Sequence, residues 1–163
     1  MTTATPVYGT KVTMTMTLAS LASDTNLVAG RESTAVDQKD TDDAIDAMVG
    51  GTVMTGTSPT AARQIEVWAY ASYDDTIFSG GATGSDANLT PSEKTLMVLL
   101  TIIPTVNTSN KAYQWGPFSV AQAFGGNVPV QWGVYIVHNT GVNLNSTGGN
   151  HEVEYFPVKY ESA

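Results

Sequence analysis

The sequence predicts an all-β fold, an antiparallel β-sandwich or jelly-roll-like architecture with one or two short helical turns. Three observations lead there. Several runs alternate apolar and polar residues with period two, the pattern of strands half-buried on one face. Glycine- and proline-rich turns punctuate these runs, among them Gly50-Gly51, Gly56-Thr57-Ser58-Pro59, Ser79-Gly80-Gly81, Gly125-Gly126-Asn127 and Thr147-Gly148-Gly149-Asn150. Charged residues make up only 13% of the chain against 42% hydrophobic ones, so Thr, Ser, Asn and Gly must keep the surface wet, and these residues suit exposed strand faces and tight turns.

A chain of 163 residues suits one domain, able to bury roughly two thirds of its unfolded surface without staples. We read it as an extended N-terminal arm, residues 1–10, followed by a single β-sandwich domain, residues 11–163. In the arm, Thr2, Thr3, Ala4 and Thr5 offer no apolar face, and Pro6 keeps the preceding residue extended. Val7 and Tyr8 are an apolar pair able to anchor in a groove or join a sheet edge. Pro6, Val7 and Tyr8 are therefore the candidate partner-binding residues, expected to reach a neighbouring subunit or surface rather than their own domain.

Lys11 to Leu18 alternates strictly, with Val12, Met14, Met16 and Leu18 on one face and threonines on the other, and reads as the first strand of the domain. Thr41 to Val49 places Ile45, Met48 and Val49 at three- and four-residue spacing, with acids ahead of them and Gly50 as a stop, which predicts one or two helical turns. Gln64 to Tyr73 and His151 to Phe156 alternate again and read as strands. The Ser-, Gly- and Asp-rich stretch Asp74 to Ser92 is expected to be a mobile or partner-contacting loop. Leu96 to Ile103 and Trp132 to His138 are nearly continuously apolar, as in strands central to a sheet, and Ala112 to Ser119 is a further β-prone run. Ser119 to Phe124, closed by Gly125-Gly126, reads as a single helical turn.

The residues offer little for catalysis. His138 and His151 are the only histidines, at the end of one strand and the start of another, where an imidazole commonly satisfies a turn carbonyl; no Gly-x-Ser-x-Gly elbow accompanies them. Cysteine is absent, which excludes disulfides and thiolate metal sites. The acidic stretch Asp37 to Asp43 fails the calcium-loop pattern, because Ile45 stands where glycine is required and no glutamate closes the loop. No spacing selects a catalytic pair among Glu66, Asp74, Asp75, Glu152 and Glu154, and the glutamates read as outward residues on solvated strands. We therefore expect no enzyme activity, no catalytic residues, no cofactor and no metal.

Trp68, Tyr70, Trp115, Trp132 and Tyr135 could form a sugar-stacking platform, as in a carbohydrate-binding module, although core packing or a subunit interface is the commoner fate of such side chains. With 7 basic against 15 acidic residues the net charge is −8, and Arg31 and Arg63 are the only arginines, so nucleic-acid binding is not expected. The longest apolar stretch, Leu96 to Ile103, is far short of the roughly 20 residues that span a bilayer. The N-terminus has neither a basic nor an apolar signal segment, which leads us to expect synthesis in a cytoplasm.

Gln131-Trp132-Gly133-Val134-Tyr135-Ile136-Val137-His138-Asn139-Thr140-Gly141-Val142-Asn143-Leu144-Asn145, followed by Gly148-Gly149-Asn150-His151, resembles a recurrent segment of small virion proteins of tailed bacteriophages. Leu27 to Val36, Ile65 to Trp68 and Tyr113 to Pro117 share that likeness, so the landmarks run through most of the chain. Together they are similar to the capsid decoration, or cement, proteins. The resemblance implies a virion structural protein on the outer surface of a phage head, synthesised in the host cytoplasm, with the major capsid protein as partner and with itself as a homotrimer. A tail- or fibre-associated module is the alternative it leaves open. It implies no catalytic residues.

Overall fold

A computed structural model describes residues 4–38 and 44–162 of the chain. In order, its elements are β1 (Ala4–Tyr8), β2 (Val12–Thr13), β3 (Gly30–Glu32), β4 (Val36–Asp37), β5 (Asp46–Met54), β6 (Arg63–Ser72), β7 (Ala87–Leu89), β8 (Val98–Thr105), β9 (Ala112–Ser119), the one-turn helix α1 (Val120–Ala123), β10 (Gln131–His138) and β11 (Glu152–Ser162). The fold is predominantly antiparallel β, with two sheets packed in a sandwich-like way. Sheet A has the order β1-β11-β5-β9, with β2 added on β11; sheet B has the order β7-β3-β10-β6-β8, with β4 added on β10.

Alternation builds the core between the sheets. Ile65 and Val67 of β6 and Trp132, Val134 and Ile136 of β10 point inward from sheet B; Val49 and Val53 of β5, Val153 and Tyr155 of β11, and Tyr113 and Trp115 of β9 meet them from sheet A. Trp132 and Tyr155 touch edge to face with ring centroids 5.3 Å apart. Each such fully buried side chain contributes about 1.5 to 3 kcal/mol. α1 is capped twice over: the Ser119 hydroxyl accepts from Gln122 N at 2.9 Å, and Asp46 Oδ1 accepts from Ala121 N at 2.8 Å.

The outer face of sheet B is covered over β6 and β10. Tyr70, Tyr135 and Val137 are buried there beneath Ala82, Leu89, Met97 and Phe78. The segment Asp74 to Ser92, expected to be a mobile or partner-contacting loop, packs on its own sheet as a cover. Buried Glu32 accepts from Thr83 N at 2.8 Å, from Thr83 Oγ1 at 2.9 Å and from Gly84 N at 3.3 Å, while β7 pairs with β3. The charge of Glu32 is thereby satisfied by the loop it holds.

The strands expected over Gln64 to Tyr73, Ala112 to Ser119, Trp132 to His138 and His151 to Phe156 are present as β6, β9, β10 and β11, and the turn after Ser119 is α1. Other expectations are corrected. The helix expected over Thr41 to Val49 is β5 from Asp46 onward; residues 41–43 lie outside the described residues. Within Lys11 to Leu18 only Val12 and Thr13 join a ladder, because the segment crosses from sheet A, where Met14 N donates to Val153 O, to sheet B, where Thr34 N donates to Thr15 O. Its alternation still aims Met14 and Leu18 into the core, whereas Val12 is exposed. β8 is an edge strand rather than a central one.

The arm expected over residues 1–10 is also corrected where it is described. Ala4–Tyr8 forms β1 on its own sheet, in register from Ala4 opposite Ser162 to Tyr8 opposite Val158, and Gly9 N continues the ladder to Pro157 O at 2.7 Å. The long strand β11 supplies an edge whose backbone groups need partners, and this first segment satisfies them.

Candidate interaction surface

The outer face of sheet A differs from that of sheet B. Opposite the inward Val49 and Val53, β5 turns Met48, Gly50 and Thr52 outward; their partners on β11 are Phe156, Glu154 and Glu152, and Thr52 faces Gln114 of β9 on its other side. These residues are half-buried or exposed, and no covering loop is described over them. Between Val49 and Gly51 the β5–β9 register shifts, and Gly116 and Pro117 form the opposing irregularity.

Glycines line the middle of this face, where backbones approach closely. Gly116 holds φ +80, and a Cβ on it would stand 2.6 Å from Val49 O; a Cβ on Gly50 would stand 3.0 Å from Trp115 O. The floor so formed lies in a trough of about 590 Å³, walled by Tyr8, Met48, Phe156, Pro117, Gln114, Glu152 and Glu154. Lys11 lies at the acidic wall, with Nζ 2.9 Å from Glu152 Oε1 and 2.7 Å from Glu154 Oε2. The hydrogen bonds that Lys11 donates to Glu154 and Glu152 raise its pKa, and Lys11 in turn lowers that of Glu152. One cation between two carboxylates leaves this wall acidic. An apolar floor with aromatic and thioether walls favours burial of a partner surface, and the charged wall orients it.

Of the candidate partner-binding residues, only Tyr8 reaches the trough, where it is 64% exposed. Pro6 and Val7 sit beside it on the open edge of sheet A, opposite Tyr160 and Lys159; Pro6 is exposed and Val7 half-buried. The sequence reading missed Met48, Gln114 and Phe156. Phe156 did carry a signal: in β11 it shares the outward phase of Glu152 and Glu154, an aromatic on an otherwise acidic face.

The remaining candidates are engaged elsewhere. His138 is buried, with Nε2 3.1 Å from Leu21 O and Nδ1 2.9 Å from the Thr140 hydroxyl; His151 Nε2 lies 2.8 Å from Asn145 O. Both imidazoles therefore satisfy loop carbonyls, and burial lowers both pKa values, that of His138 to about 4. Glu66, expected on a solvated face, is buried under Lys94, Gln64 and Trp68. Tyr70, Trp115, Trp132 and Tyr135 are buried, and Lys94 stands over the Trp68 ring, 4.6 Å from its centroid. Among the described residues no group of three or more His, Asp or Glu is placed to hold a metal ion, and no helix is long and apolar enough to cross a membrane. No protein-family model, curated protein or solved structure matches the chain.

Proposed function

We propose that this chain is a virion structural protein of the decoration type, a jelly-roll-like sandwich that binds the major capsid protein on the outside of a phage head and bridges capsomers. The observation that carries this reading is the glycine-floored trough on sheet A, open beside an edge strand made from the first residues of the chain. A sheet face that leaves Tyr8, Phe156 and Met48 in contact with solvent has apolar area to gain by docking. The weakly charged, threonine-rich composition lowers the cost of desolvating such a surface. The segments that resemble phage virion proteins include β6, β9 and β10, which hold the sandwich together. The sugar platform drawn from the sequence has no comparable support, since four of its five aromatic side chains are buried and Trp68 lies under Lys94.

Binding to undecorated heads tests the proposal. The wild-type chain should saturate the shell, and the double variant Tyr8→Ala/Phe156→Ala, folded by circular dichroism, should bind at least about tenfold more weakly. Mass spectrometry of purified particles should find the chain at a head-like copy number. Absence from particles, or presence only at tail copy number, overturns the decoration reading; undiminished binding of the double variant moves docking off the trough.

A further inference from the structure

Along the trough the apolar and acidic groups are ordered rather than mixed. Across the β5–β11 ladder Met48 stands opposite Phe156, Gly50 opposite Glu154 and Thr52 opposite Glu152, so one end is thioether and aromatic and the other acidic. Gly50 has no side chain to set against Glu154, and on the β9 side the Cα of Gly116 lies 3.6 Å from where a Cβ on Gly50 would stand. Glu154 therefore borders a strip of bare backbone. Lys11 Nζ reaches both carboxylates, at 2.9 Å and 2.7 Å, so the two converge on one point.

Charge decides what can lie on that strip. Among the described residues, those that line the trough carry two carboxylates and no basic side chain, and Lys11, at their margin, offsets one of the two. The side chains of Lys11 and Glu152 are each 46% exposed, so theirs is a solvated ion pair that a better-matched cation can replace. A neutral or acidic segment would cover the remaining carboxylate charge without pairing it; a basic one would pair it. Between lysine and arginine, the guanidinium is the better match. Its planar fork of donors can serve two converging carboxylates, it sheds water more readily than an ammonium, and it stacks on aromatic faces, while its aliphatic stem gains from apolar cover. We infer that the trough is a receptor for an arginine side chain of the docking partner, with the stem on the glycine floor beside Met48 and Phe156 and the guanidinium on Glu152 and Glu154. Lys11 is then the chain's own occupant of the acidic end, displaced when the partner docks. This assignment rests on the trough being the docking site and names the partner chemistry that the trough selects.

Titration of the isolated chain with Nα-acetyl-arginine methylamide, followed through the backbone amide signals of Gly50, Gly51 and Gly116, tests it without heads. The signals should shift saturably, with a Kd of roughly millimolar order for so small a probe, and should move less with the lysine analogue at equal concentration. The uncharged norleucine analogue should leave them in place. Glu152→Gln/Glu154→Gln should abolish the shift with unchanged circular dichroism. Glu152→Gln alone, at the more exposed of the two, should weaken it in the same direction and serves if the pair fails to fold. Lys11→Met, which frees both carboxylates, should tighten the arginine probe at least about threefold. On undecorated heads the glutamine pair should weaken binding at least about tenfold and flatten its dependence on salt. An equal response to norleucine, no saturable response to arginine, or a Lys11→Met chain that binds the probe no better overturns the inference. Heads bound through Tyr8 and Phe156 but indifferent to Glu152→Gln/Glu154→Gln overturn it too and leave the trough as the docking site, whereas heads indifferent to Tyr8→Ala/Phe156→Ala remove the trough from docking and the arginine with it.

Discussion

Lys94 Nζ stands 2.5 Å from Glu66 Oε2 and fastens the turn before β8 onto the outer face of sheet B. The carboxylate also accepts from Trp68 Nε1 at 2.9 Å and from Gln64 Nε2 at 2.7 Å, while the ammonium donates to Leu27 O at 2.6 Å. Glu66 is buried and every oxygen has a donor, so the pair is a clasp joining three segments. Lys94→Met removes the cation and leaves a buried carboxylate. We predict a loss of about 2 to 3 kcal/mol in urea unfolding, below the full cost of breaking a buried pair because Lys94 keeps some contact with solvent. The double variant Lys94→Met/Glu66→Met should recover part of that loss, and strict additivity would show that the two groups are not coupled.

Gly133 and Tyr70 are matched in a similar way. They face each other across β10 and β6, and a Cβ on Gly133 would stand 2.3 Å from the Tyr70 ring, whose hydroxyl donates to Ser33 O at 2.5 Å. The ring cannot withdraw without breaking that buried bond. Gly133→Ala should cost about 1 to 3 kcal/mol through overpacking. A companion Tyr70→Phe change, which frees the ring to shift, should make the alanine better tolerated than it is alone. Chemical denaturation of the four proteins checks both statements.

Acid should destabilise the fold through His138. Burial lowers its pKa from 6.5 to about 4, against the opposing effect of Leu21 O. Above the unfolded value both states are neutral and the group is silent. Between about 6.5 and about 4 the unfolded chain takes up a proton that the folded chain refuses, so stability falls with pH and the loss is complete below the folded value. The full effect is on the order of 3 kcal/mol. Burial also lowers the pKa of His151, which adds in the same direction. Thermal melts at pH 7.5 and pH 5 should show a clear fall in Tm for the wild type, and a smaller fall for His138→Gln measured against its own value at pH 7.5.

Where two faces of a strand meet different surroundings, the sequence was readable. β6 showed its phase because its inner Ile65 and Val67 lie in the main core while its outer face carries Gln64, Glu66 and Trp68, whereas β10, buried on both faces, was legible only as a continuous apolar run. β5 was not, since Ile45, Met48 and Val49 have helical spacing and Gly50-Gly51 imitates a helix stop. In the fold those glycines stand mid-strand for a tertiary reason: a Cβ on Gly51 would lie 2.1 Å from Glu152 O and 3.2 Å from the Trp115 ring. β8 was misplaced because a run that is apolar on both faces reads the same in an edge strand as in a central one. The trough could not be read at all, as it arises only when β1, β5, β9 and β11 are brought into register.

The first strand should be dispensable for folding and necessary for docking. Ala4, Thr5, Pro6 and Tyr8 of β1 are exposed and Val7 is half-buried, so the segment is held chiefly by its ladder to β11 rather than by side-chain burial. Strands of this kind, at a chain end and a sheet edge, lie at the low end of local stability. Deleting residues 2–9 should therefore cost no more than about 2 kcal/mol in global stability, with the near-ultraviolet spectrum of the core aromatics retained. The same deletion removes Tyr8 from the trough and bares the β11 edge. On the decoration reading, binding to undecorated heads should drop at least as far as in Tyr8→Ala, because the ladder edge and the aromatic wall are lost together. A truncated chain that folds and still binds heads with wild-type affinity would remove β1 from the docking surface, whereas one that fails to fold would show that this short strand is part of the folding core after all.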